Sequence, residues 1–370
     1  MTGGVEVDGV RGDPAPPRSR GGPLVAVLAA ILGSVILFDV TGPPAAAVHG
    51  GDTLPSQPLE IDIVESRTFG QILPGFEGWL VAAVAQPGSA VILTWKPDAS
   101  EPVRSPLGPL TDLRFDPGGT WLAGTQAGSA GSRLWLGRTG GGIFPLDQRI
   151  EGFAWHDSLP AHLAYLTRSE EGGGLYVTDL LVGGTRLVTG DPPDGRLERW
   201  GEWGFGLTHP GRVGSTTLLL AGGRRLEIDG VPVGELADGR IAFSPFFALD
   251  LPGGTIVHPR WPHPFEEVQA VERSPDGRWL AVHLGESPDP DSGPVVRIAD
   301  PDGSIRRELA GASAHPAMAW DRSGRFLVVA VDGDLGTEVA VIDVAGGDPV
   351  ILAVSTGVGA VIQDLVVLDR

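Results

Sequence analysis

The chain has 370 residues, with 46 acidic side chains against 27 basic ones and a net charge of −19. It contains no cysteine, which excludes disulfide staples, thiolate metal sites, a cysteine nucleophile and a lipid-modified cysteine. So acidic a surface repels phosphate backbones and argues against nucleic acid as a partner. Gly 56 and Pro 33 stand beside 42% hydrophobic residues, a mixture that fits many short apolar strands joined by turns.

Residues 1–22 are rich in Gly, Pro and Arg and read as a disordered cytoplasmic tail. Residues 24–38 (LVAVLAAILGSVILF) form an unbroken run of apolar and small residues. Residues 23–40 therefore read as a transmembrane anchor or uncleaved signal, near the short limit for a span of about 20 residues. Arg11, Arg18 and Arg20 precede the run, whereas Asp39, Asp52 and Glu60 follow it. That asymmetry leaves the N-terminus in the cytoplasm and everything after residue 40 outside, as a single-pass membrane protein. Ala45, Ala46 and Ala47 after two prolines resemble a signal-cleavage site, so a secreted form is the alternative. Residues 41–58 read as a semi-extended linker.

Residues 59–370 alternate short apolar runs with Gly, Pro and Asp turns, and one phrase recurs. It reads FDPGGTWLAG at 115–124, RSPDGRWLAV at 273–282 and WDRSGRFLVV at 320–329, with a looser copy at 153–167. Pro fixes φ at the first corner, Asp bonds back to the turn and Gly takes the position with positive φ. The bulky residue that follows (Trp121, Trp279, Phe326) is expected to pack between neighbouring units. From residue 270 the pattern writes out as four antiparallel strands per unit. The predicted fold is all-β, a single β-propeller of four-stranded blades preceded by one hydrophobic helix. Dividing roughly 310 residues by 40–45 per blade gives seven blades, and six also fits because 192–265 does not divide cleanly. The last strand, near 360–368, has no unit of its own and is expected to pair with strands of the first blade near 59–64 or 79–84, closing the ring.

The phrase SPDGRWLAV resembles the repeat of TolB-type and related WD-repeat-like β-propellers. The resemblance implies a propeller with a binding or scaffolding role and brings no catalytic residues, because the motif is structural. The sequence lacks a Gly-x-Ser-x-Gly elbow, a phosphate-binding loop and a zinc-type His pair on a helix. His258 and His263 lie five apart in a proline-rich loop that reads as ordinary.

In an up-and-down blade the B–C and D–A connections share one face. Those connections hold Glu170, Glu171, Asp191, Asp194, Glu266, Glu267, Asp289, Asp291, Asp332 and Asp334. They form the candidate binding face, acidic and suited to a cationic partner. Asp289 with Asp291, and Asp332 with Asp334, alternate as Ca²⁺ ligands do, without a third acid to complete the loop. No other cofactor is expected. The functional expectation is a membrane-tethered, monomeric, extracytoplasmic binding module for an envelope or secreted protein. A propeller hydrolase of lactonase or glycosidase type, with its site in the central channel, is the alternative. The inner strands read mostly apolar and offer Glu272 alone, where a glycosidase needs two carboxylates.

Overall fold

The computed structural model describes residues 68–370, apart from 130, 169–172, 210–211, 213, 237, 245–246, 252–253, 258–266, 286–292, 302, 334–335, 353–358 and 370. The apolar run 24–38, the strand expected near 59–64 and the two histidines of the proline-rich loop lie outside the described residues. No helix among the described residues is long and apolar enough to cross a membrane.

Among the described residues a single turn of helix, α1 (Phe69–Ile72), is followed by 27 strands. In chain order they are β1 (Trp79–Gln86), β2 (Ser89–Trp95), β3 (Val103–Gly108), β4 (Thr111–Phe115), β5 (Trp121–Gly128), β6 (Gly131–Arg138), β7 (Ile143–Trp155), β8 (His162–Thr167) and β9 (Gly174–Asp179). Then come β10 (Gly184–Thr189), β11 (Arg196–Gly201), β12 (Gly204–Thr208), β13 (Ser215–Leu220), β14 (Arg225–Asp229), β15 (Val231–Glu235), β16 (Ile241–Ser244), β17 (Phe247–Asp250) and β18 (Thr255–Val257). The last nine are β19 (Val268–Arg273), β20 (Leu280–Leu284), β21 (Val295–Ala299), β22 (Ile305–Ala310), β23 (Met318–Trp320), β24 (Phe326–Gly333), β25 (Gly336–Asp343), β26 (Val350–Leu352) and β27 (Val361–Leu368).

The strands group by fours. β15–β18, β19–β22 and β23–β26 are antiparallel four-stranded sheets in sequence order. The eleven-stranded sheet contains the runs β4–β7, β7–β10 and β11–β14, with the long β7 ending one run and opening the next. The first sheet is ordered β27-β1-β2-β3. The C-terminal strand thus pairs antiparallel with β1, from Trp79↔Leu368 to Ala85↔Val361, the closure expected from the sequence. The irregular stretch 192–265 holds β11 to β18.

Burial follows position within each group. The second strands are buried on both faces and read as continuous aliphatic runs: β1 (WLVAAVAQ), β20 (LAVHL) and β24, with six consecutive buried residues from Phe326. The outer strands β3, β10 and β22 are largely exposed. Apolar clusters fill the seams between successive sheets. Trp121 packs with Phe153 and Tyr165, Trp279 lies against Trp320 and Leu327, and Phe326 joins Leu80 and Leu93 to bring the last sheet onto the first. Each such large side chain contributes about 1.5–3 kcal/mol on burial.

The recurring turn explains itself at its first residue rather than at the inner Asp. Asp116, Ser274 and Asp321 are 1–2% exposed. Their side chains accept the N–H of the bulky residue five positions on: Trp121 at 2.6 Å, Trp279 at 2.9 Å and Phe326 at 2.7 Å. Gly119, Gly277 and Gly324 occupy the same later position with φ between 63° and 71°.

Candidate functional site

The first strand of each group forms an inner ring, and the ring sets what faces the central channel. An inner strand has one edge in its own sheet and one edge free, and free backbone groups need partners. Here neighbouring inner strands supply them mostly with side chains. Asp364 and Gln363 of β27 accept the N–H groups of Phe115 and Leu113 on β4 at 2.6 and 2.8 Å. Trp155 donates its indole N–H to the Arg114 carbonyl at 2.8 Å. Arg199 of β11 donates to the Val233 carbonyl on β15 at 2.9 Å, and Trp320 of β23 to the Glu272 carbonyl on β19 at 3.2 Å. β7 and β11 meet directly in parallel at Gly152↔Leu197.

Charged side chains therefore gather in the channel, which the sequence reading missed beyond Glu272. Towards the end where inner strands begin, Arg114 sits between Asp112 at 2.9 Å and Glu198 at 3.2 Å, and Arg196 pairs with both acids at 2.7 and 3.1 Å. Burial works against the Arg114 charge, but Asp112 and Glu198 outweigh it and hold its pKa above the ordinary value. Towards the end where the inner strands turn outward, the balance is acidic. Arg199 approaches Asp157 at 3.6 Å, while Glu202, Glu235, Glu272 and Asp364 add further carboxylates. Burial pushes Glu272 up to about 7; Arg199 opposes this, while Asp157 and Asp364 reinforce it. Asp364 is also pushed up to about 7 by burial, against its bonds from Phe115 and Leu365 and the charge of Arg114. Both keep part of their surface on the channel while protein encloses them. Asp157 and Glu235 are raised in the same direction, burial being the main cause.

A cavity of about 550 Å³ opens at the end where the inner strands turn outward. It is bounded by residues following β4 (Gly119, Thr120), β23 (Arg322) and β27 (Asp369), with Trp320 and Arg138 in its wall. Trp320 joins this mouth to the acidic channel, because its ring lines the cavity while its N–H holds the Glu272 carbonyl.

The acidic loop residues among the described ones lie at the other end. Asp191 and Asp194, between β10 and β11, are 95% and 89% exposed at the side chain and pair with different arginines, Arg225 at 3.4 Å and Arg168 at 2.8 Å. Glu267 and Asp332 are exposed at the ends of β19 and β24. Glu170, Glu171, Glu266, Asp289, Asp291 and Asp334 lie outside the described residues. Among the described residues no group of three His, Asp or Glu side chains is placed to hold a metal ion.

No family model matches this sequence, and no curated protein matches it. Solved structures do. TolB from Acinetobacter baumannii is 14% identical with a TM-score of 0.49, over 80% of this chain and 67% of that one. A prolyl endopeptidase chain is 10% identical with a TM-score of 0.51, over 75% of this chain and 50% of that one, so this chain spans half the endopeptidase's length. The C-terminal WD40 domain of Sif2 is 12% identical with a TM-score of 0.43, over 73% of this chain and 97% of the domain. The likeness is one of fold: the chain is a β-propeller, similar to TolB-like and WD-repeat-like propellers.

Proposed function

We propose that the chain is a non-catalytic binding propeller of seven four-stranded blades that takes its partner at the mouth of the channel where the inner strands turn outward. Counting β7 twice and taking β27 as completing the first sheet supports seven. One observation carries the binding reading: the 550 Å³ cavity joins turns from four inner strands, a size within the range of ligand sites. The channel charges behind it are largely engaged in holding neighbouring inner strands together, a structural task. In keeping with the apolar run 24–38, the propeller is held outside the cell at the membrane surface and works there on an envelope or secreted protein. Ca²⁺ on the acidic loops of the opposite end is a separate part of this reading, checked by calorimetric titration of the full chain with the ion.

The binding test is a blocked mouth. Thr120→Trp fills the cavity from an exposed turn position; it is expected to abolish capture of partner proteins from envelope extracts while leaving the thermal midpoint within a few degrees. Unchanged capture places the interface elsewhere. Fractionation of cells into membrane and soluble parts tests the tether, with the full chain expected in the membrane fraction.

A hydrolase with its site in the channel is the second reading, and the presence of two channel carboxylates, Glu272 and Asp364, within each other's electrostatic reach favours it. Glu272→Gln would then remove turnover of a hydrolysable ester or glycoside, whereas the binding reading expects no turnover to remove.

A further inference from the structure

We propose that this cavity recognises a carboxylate on a peptide, with Arg138 as the principal cation; this rests on the reading that the channel mouth is the binding site. The chain carries a net charge of −19, yet the titratable side chains lining the cavity are two guanidiniums, Arg138 and Arg322, and one carboxylate, Asp369. The cavity wall is thus positive on a strongly acidic protein. Most arginines near it are engaged: Arg322 pairs with Asp369 at 2.8 Å and Arg325 with Asp343 at 2.6 Å. Arg138 differs. Among the described residues it has no carboxylate partner, and its guanidinium lies over the Trp121 ring at 5.0 Å.

That position over the ring favours the cation there, and its N–H groups can face a ligand as a fork suited to bidentate carboxylate recognition. Arg322 is available at low cost, because its pair with Asp369 is 79% and 58% exposed at the two side chains and such pairs contribute little. The Thr120 hydroxyl adds a donor on the same wall, and Trp320, Pro117 and Pro275 give the apolar surface that the rest of a peptide would cover. A monoanion fits better than a phosphate dianion, since Asp369 on the rim and the acidic channel behind it repel the second charge.

A fluorescent, C-terminally amidated random hexapeptide mixture passed over the immobilised full chain tests this. Retained peptides are expected to be enriched in Asp and Glu over Lys and Arg, with retention falling as salt rises. Arg138→Gln is expected to lower affinity for the retained acidic peptides about tenfold, without altering the thermal midpoint by more than a degree or two. Retention of neutral or basic peptides that Thr120→Trp abolishes overturns the carboxylate assignment and leaves the mouth as the site. Retention untouched by Thr120→Trp overturns both, as does the absence of retention. Displacement by inorganic phosphate and not by acetate would overturn the carboxylate in favour of a phosphate group.

Discussion

Asp364 on β27 accepts the backbone N–H of Phe115 on β4 at 2.6 Å, across 249 positions of sequence. β27 therefore acts in two directions. Its backbone pairs with β1, and its side chains serve the free edge of β4, where Gln363 takes the Leu113 N–H as well. The C-terminal strand binds the first sheet to itself and to the second, so the ring is closed by a ladder on one edge and side chains on the other.

Removing the carboxylate should expose this dependence. Asp364→Ala leaves the Phe115 N–H unpaired beside the channel and is expected to cost about 2–3 kcal/mol in urea unfolding. Asp364→Asn keeps a carbonyl oxygen and should recover most of that loss. A wild-type midpoint for the alanine variant would show that the seam is held elsewhere.

The recurring turn offers a sharper contrast between two aspartates. Asp116 is buried and accepts both Trp121 N–H at 2.6 Å and Ala161 N–H at 2.9 Å, the second from the neighbouring run of strands. Asp276 is 30% exposed at the side chain and serves its own turn. Asp116→Ala is expected to destabilise by about 3 kcal/mol and Asp276→Ala by under about 1 kcal/mol. Gly119→Ala should join the severe class. Its φ is 63° and a Cβ there would stand 2.2 Å from Leu368 of β27, so both strain and collision oppose it. Thermal midpoints of the three variants decide.

Stability should rise as the solution becomes mildly acidic. Glu272 and Asp364 titrate at about 7 in the folded chain and at ordinary carboxylate values when unfolded. Between about pH 4 and 7 the folded state holds more protons, so stability falls as pH rises through that window. The groups facing Glu272 are Arg199, Asp157 and Asp364, and Arg114 faces Asp364; Asp157 and Glu235 act with the same sign. Asp238 and Asp343, held below ordinary values by Arg240 and Arg325, act oppositely below that window. His156, His283 and His315, lowered by burial, oppose it within the window from about pH 6.5 downward. The two carboxylates raised to about 7 begin to gain protons at higher pH and outweigh them. The thermal midpoint is expected to climb from about pH 8 to about pH 5.5, and less so in Glu272→Gln with Asp364→Asn. A midpoint that drops over that interval overturns this assignment of charge.

What could be read in the sequence depended on where each strand lies. Second strands such as β1 and β24 are covered on both faces, so burial writes itself as aliphatic runs. The turn phrase was legible because Asp116, Ser274 and Asp321 are demanded by local hydrogen bonds. Outer strands such as β3 and β10 leave no such trace, because exposure removes the alternation that marks a strand. Inner strands were misread as apolar for a different reason. The acids and arginines of TDLRF and RLERWG balance one another only once the ring brings β4 and β11, with β7 between them, within side-chain reach, as Arg114 and Glu198 show. A local signal did exist for Asp364, a lone carboxylate within VIQDLVVL. The acidic loops stood out in composition, yet Asp191 and Asp194 pair with separate arginines and do not converge.

Two tryptophans give a test in which the substitution is the same and the expected costs differ. Trp155 donates to the Arg114 carbonyl at 2.8 Å and so completes the free edge of β4. The Trp121 indole N–H is buried without a partner among the described residues. Both rings belong to one apolar cluster, so replacing either by Phe removes similar volume and apolar area. Trp155→Phe also strands an inner-strand carbonyl, whereas Trp121→Phe removes a donor that satisfies nothing. Trp155→Phe should therefore be the more destabilising by about 1–2 kcal/mol in urea unfolding. The double variant should be additive within a few tenths of a kcal/mol if the two rings act independently. Equal losses would mean that the inner ring does not depend on side-chain donors, and the account of its closure through Trp155, Arg199 and Trp320 would fall with it.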